Sequence, residues 1–80
     1  MTRDEIYLTL TEVFCDVFDD EDITISDNTT AADIDGWDSL THITLLAAIE
    51  DEFDIRFDMK AVQGLKNVGA MVDMIGELVG

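Results

Sequence analysis

The chain has 80 residues, with 19 acidic against 4 basic side chains and a formal net charge of -15. That length suits one small domain spanning 1–80, whose single core is marginal at this size and economically built from packed helices. Such a surface repels nucleic-acid phosphates and anionic lipid, which excludes both as partners, and it is drawn to basic patches on other proteins.

With 48% hydrophobic residues the chain is globular, yet no apolar run approaches the roughly 20 residues of a membrane span. Met1-Thr2-Arg3-Asp4-Glu5 has neither the basic region nor the apolar core of a signal peptide. The expectation is a cytoplasmic monomer without membrane insertion. A single cysteine, Cys15, excludes an internal disulfide and a cysteine-rich metal site, and its place in a helical pattern suits packing.

Thr2 followed by Glu5 has the spacing of a capping box, and Ile6, Leu10, Val13, Phe14 and Val17 recur at helical intervals. This predicts a first helix ending near Phe18, with Leu8 on the opposite face as an exposed apolar residue. Asp19-Asp20-Glu21-Asp22 oppose the dipole at its C-terminus and help to end it. From Asp19 to Trp37 the chain is polar, with Ile23, Ile25 and Ile34 read as anchors that pin a long loop across the bundle. Ile23 and Ile25 alternate as in a short strand, but no partner strand is evident.

A second helix is expected from about Ser39 to Phe53. His42, Leu45, Leu46, Ile49 and Phe53 share one face, assigned to the core, and Leu40, Ile43 and Ala47 form a second apolar strip suited to a partner. Asp58 can cap a short helix through Ala61, Val62 and Leu65, with Gly64 near its end. Asn67 can cap a last helix carrying Val68, Met71, Val72, Ile75, Leu78 and Val79. The fold class is therefore all-α: three long helices and one short third helix, with a long loop between the first two.

The chemistry concentrates at Gly36-Trp37-Asp38-Ser39-Leu40. Here a glycine-bearing loop turns into a helix, and the exposed N–H groups of a helix start favour a phosphate on the Ser39 hydroxyl. Ser26, by contrast, lies in a polar loop. Plain helix capping explains Asp38 and Ser39 as well, but leaves Trp37 and an exposed Leu40 beside the turn unexplained. For Trp37 we expect packing over the long loop in preference to guarding the serine. Asp38, Ser39 and His42 lie too close on one helix start to converge as a catalytic triad, and no Gly-x-Ser-x-Gly elbow is present. His42 reads as a hydrogen-bonded histidine at the core edge, and no catalytic residue is assigned. A calcium loop aligned on Gly36 fails, because Ala31 falls at its first ligand position and His42 at its bidentate glutamate; no metal site is expected.

Asp38-Ser39-Leu40, followed by Ile43, Leu45, Leu46, Ile49 and Glu50-Asp51-Glu52-Phe53, resembles the acyl carrier protein family, and the match continues through Phe57, Leu65, Val68 and Ile75. The resemblance implies a four-helix bundle whose Ser39 carries a 4′-phosphopantetheine arm, attached from coenzyme A by a phosphopantetheinyl transferase. Acyl groups then ride on its terminal thiol as thioesters, and the reactive group belongs to the cofactor. It also implies a partner surface on the second helix: Asp38 and Leu40 beside the arm, Ile43, Thr44 and Ala47 along the helix, and Glu50 and Asp51 facing basic residues. The partners so implied are loading enzymes, synthases and acyltransferases with basic docking patches.

Some positions depart from that pattern. Thr41 and Thr44 replace acids usual in fatty-acid carriers, Lys60 adds a positive charge, and Trp37 replaces a small residue. These departures point to a carrier dedicated to a specialised fatty acid, polyketide or related pathway. Met1 and the lack of a linker favour a discrete carrier over a piece of a megasynthase. The alternatives are an aminoacyl or D-alanyl-type carrier, and an unmodified acidic helical interaction module.

Overall fold

In the computed structural model, which describes residues 1–62 and 65–79, the first helix, α1 (Arg3–Phe18), begins with a reciprocal capping box. The Thr2 hydroxyl accepts from the Glu5 amide at 3.2 Å, and the Glu5 carboxylate accepts from the Thr2 amide at 2.8 Å. Two of the helix's orphan donors are thereby satisfied. Ile6, Leu10, Val13 and Phe14 are buried, while Val17 is half-buried and Leu8 stands 71% exposed. The helix ends at Asp19, which adopts the left-handed conformation (φ 51°) more usual for glycine. Cys15 is half-buried, its thiol 3.9 Å from the Ile23 carbonyl, in keeping with a packing role.

The long loop is held down rather than loose. Ile34 is buried and Ile23 and Ile25 pack against the core from half-buried positions, which fits the anchoring expected of them. Within it lies a 3-10 turn, Ala31–Asp33, that the sequence pattern does not announce; the Thr30 amide donates to Asp33 at 2.9 Å and starts it. No strand forms among the described residues, so the alternating isoleucines act as plugs and not as a sheet.

Helix α2 (Ser39–Phe53) buries Leu45, Leu46, Ile49 and Phe53. His42, placed on the same face from its spacing, reaches only a half-buried position at the core edge. This helix also ends on a left-handed aspartate, Asp54 (φ 55°). The short helix α3 (Met59–Val62) comes next, with the Lys60 amide donating to Asp58 at 3.0 Å. Leu65, expected within α3, lies in the irregular segment before the next helix; the expected Gly64 stop and the side chain of Ala61 fall outside the described residues. Helix α4 (Val68–Val79) buries Val68, Met71, Val72 and Ile75. α1 packs against both α2 and α4, so it forms the spine of the bundle.

The loop meets α4 through backbone. Val68 and Gly69 donate to the carbonyls of Thr29 and Asp27 at 2.8 and 3.0 Å, and Asn67 caps Ala70 at 2.9 Å. The first three amides of α4 are thus all satisfied, two of them by the loop. Arg3 clamps the same place, its guanidinium reaching Asp27 at 2.7 Å and Asp73 at 2.5 Å, and the Tyr7 hydroxyl donates to Asp27 as well. Those donors, Tyr7 first and then Arg3, hold the Asp27 carboxyl below the usual carboxylate range. A depressed carboxylate contributes its stability above its unfolded pKa and loses it as pH falls through the folded value, so acid slackens this clamp.

Candidate functional site

The turn into α2 is set by Gly36, whose φ of +88° only glycine adopts without strain. The Trp37 amide donates to the Ile34 carbonyl at 3.3 Å, and the Asp38 amide to the Gly36 carbonyl at 3.1 Å, closing the chain on itself. Asp38 is the N-cap. Its Oδ1 accepts from the Thr41 amide at 2.9 Å and from the Thr41 hydroxyl at 3.0 Å. These bonds, the backbone one first, keep the Asp38 carboxyl ionised to lower pH than an ordinary aspartate. The cap therefore holds above the usual aspartate range and weakens only as pH falls through the depressed value. Because the carboxylate is turned to Thr41, it does not orient His42, and the triad geometry is absent.

Ser39 is the first helical residue and is exposed. Neither its hydroxyl nor its amide has a hydrogen-bond partner among the described residues. A hydroxyl standing free at a helix N-terminus, beside an amide without an acceptor, fits a phosphate ester there. Ser26 has a different setting: its amide donates to the Thr29 hydroxyl at 2.9 Å, and the two hydroxyls lie 3.3 Å apart.

Trp37 packs, as expected from its bulk beside the loop. Its ring meets Phe14 edge-on at 5.3 Å between centroids and lies 6.2 Å from Phe18, which fixes the turn onto α1. It also stacks on the His42 ring at 5.9 Å, and its Nε1–H donates to His42 Nδ1 at 3.0 Å. The sequence pattern gives His42 a hydrogen-bond partner without naming this one. A tryptophan five residues before a histidine across a helix start was the available signal.

A groove of about 700 Å³ opens beside Ser39. Trp37 and His42 form one wall, Leu46 and Met71 are apolar residues of its lining, and Val62 and Leu65 come from the segment around α3. Trp37 therefore packs, though on the rings of α1 and not over the long loop, and it also borders the groove that opens beside Ser39.

The residues assigned to a partner surface mostly face solvent. Leu40 and Ile43 are 79% and 62% exposed, and Asp38, Thr44, Ala47 and Asp51 are exposed as well. Glu50 differs. It is half-buried, and its Oε2 accepts from the Phe57 amide at 2.8 Å, tying α2 to the turn ahead of α3. No group of carboxylate, histidine or cysteine side chains suited to a metal ion occurs among the described residues.

Residues 9–75 match the family model described as the phosphopantetheine attachment site. Among solved structures, the chain is similar to the holo acyl carrier protein from Geobacter metallireducens, determined by solution NMR. The two are 40% identical, with 91% of this chain and 84% of that one covered and a TM-score of 0.86. The fold, the matched span and the free serine at the start of α2 agree: this chain belongs to the acyl carrier protein family, whose prosthetic group is 4′-phosphopantetheine.

Proposed function

We propose that Ser39 is the attachment residue and that this carrier serves a specialised fatty acid, polyketide or related pathway. The observation that carries the first part is the exposed Ser39 hydroxyl at the start of α2, next to the groove and without a hydrogen-bond partner among the described residues. In the loading reaction the Ser39 oxygen attacks a phosphorus of coenzyme A. A new phosphorus–oxygen bond forms, the bond to the adenosine bisphosphate half breaks, and the hydroxyl proton passes to a base on the transferase. The bound arm supplies the thiol on which acyl groups are carried. The chain's own residues keep the helix start in place: Asp38 caps it, Gly36 sets the turn and Trp37 fastens that turn to α1.

Incubation with coenzyme A and a broad-specificity transferase should add one arm by intact mass. Ser39→Ala should stay at its starting mass, and Ser26→Ala should load normally. A wild-type protein that gains no mass, with its fold intact, sinks the assignment and leaves the unmodified interaction module.

Docking is assigned to the exposed strip Leu40, Ile43 and Ala47, flanked by Asp38, Thr44, Glu50 and Asp51, with partners that present basic patches to it. The exposure of the strip and the net charge of -15 support this reading. Ile43→Asp should impair loading or acyl transfer while far-UV circular dichroism and melting temperature stay close to wild type. A strongly unfolded variant would place Ile43 in the core and move the interface elsewhere. Trp37, Thr41, Thr44 and Lys60 support the specialised pathway, since they depart from the residues usual in fatty-acid carriers.

A further inference from the structure

The groove beside Ser39 is bordered by the chain's only tryptophan and only histidine, and those two are bonded to each other. An indole nitrogen can only donate, so His42 Nδ1 must be the acceptor and the ring's proton must sit on Nε2. The bond therefore exists only while His42 is neutral. Once both ring nitrogens carry protons, two N–H groups face each other across 3.0 Å and the contact has to open.

We propose that Trp37 and His42 form a proton-operated latch on this groove, closed while the His42 ring is neutral and released when it takes up a proton. The charged groups bordering the same groove are Asp38 and Lys66; the Asp38 carboxylate is bonded to Thr41, and Lys66 reaches the groove from the segment ahead of α4. From α1 the wall meets the rings of Phe14 and Phe18. From α3 the groove receives the apolar Val62. Trp37 is also two residues from Ser39, so its release loosens the turn that presents the serine. The latch's meaning for cargo rests on Ser39 being the anchor; the latch itself does not.

The test uses the unmodified protein and its own fluorescence. Between pH 8 and 5.5, an interval in which imidazoles change charge, Trp37 emission should shift to the red and become more readily quenched by acrylamide. Far-UV circular dichroism should stay constant across the interval. His42→Asn, which keeps an acceptor near the Nδ1 position and does not titrate, should hold the protected emission throughout. His42→Leu, with no acceptor, should show the released emission at every pH. A flat wild-type profile, a His42→Asn profile that titrates like wild type, or a change that tracks loss of helix would each overturn the latch. Normal loading of Ser39 with a flat profile removes the latch and keeps the anchor, whereas failed loading with the expected profile does the reverse.

Discussion

Phe14→Ala is expected to destabilise the protein by about 3–5 kcal/mol, the usual range for removing a buried phenylalanine. The ring is fully buried, lies in the core between α1 and its neighbours, and meets both Phe18 (5.8 Å) and Trp37 (5.3 Å). A domain of this length has roughly 4–12 kcal/mol of net stability at ~0.05–0.15 kcal/mol per residue. The loss therefore takes away a large part of the whole, and the variant should be substantially unfolded at growth temperatures. Urea unfolding monitored by circular dichroism measures this directly. A loss under about 1.5 kcal/mol, the scale of a well-tolerated apolar exchange, would show that the surrounding rings close over the gap and that the turn at Trp37 does not depend on Phe14.

Gly69→Val should have the second-largest effect, for a different reason. A Cβ at this position would lie 2.9 Å from the Asp27 carbonyl oxygen and 3.1 Å from the Asp27 Cα, which are backbone atoms that cannot rotate aside. The loop would have to lift from α4, straining the bonds from Val68 and Gly69 that dock it. Overpacking of this kind typically costs about 1–3 kcal/mol, and each lost hydrogen bond about 0.5–1.5 kcal/mol more. Gly69→Ala is the sharper comparison, because helix propensity alone favours alanine by about 0.8–1.0 kcal/mol. We expect the clash to prevail and alanine also to lower the melting temperature, by about 4–8 °C per kcal/mol in a domain of this size. An alanine variant that melts higher than wild type would mean that the loop yields freely at Asp27.

The helices were legible because their apolar spacing and caps agree. Thr2 with Glu5, Asp38 before Ser39, and Asn67 before Val68 each mark a start that the structure keeps. The family was legible from Asp38-Ser39-Leu40 and the apolar and acidic residues of α2 after it, and the free serine was placed by the helix start alone. The remainder depends on contacts between segments distant in sequence. Nothing local says that Asp27 must meet Arg3, Tyr7 and Gly69, although a glycine at the second position of a helix, where alanine is preferred, hints at close approach by another chain segment. The family resemblance assigns Glu50 to the partner surface, but says nothing of its bond to the Phe57 amide, seven residues on, which depends on how the chain turns after Asp54. The 3-10 turn at Ala31–Asp33 is too short to carry a period.

The clamp at Arg3 has a practical corollary in optics. The chain contains one tyrosine and one tryptophan, and they stand at two of the places where the long loop is fastened. Tyr7 belongs to the clamp, its phenol pushed up to about 12 by burial and then by its bond to Asp27. It remains a neutral phenol across the whole range in which the fold would be studied. Trp37 belongs to the fastening on α1 and to the groove. Indole absorbs to the red of phenol and can be excited alone, so detachment at α1 is read from Trp37 emission, and detachment at the clamp from the Tyr7 part of the near-ultraviolet signal. Whether the loop lets go at α4 or at the serine first is written in the ultraviolet spectrum of the native chain.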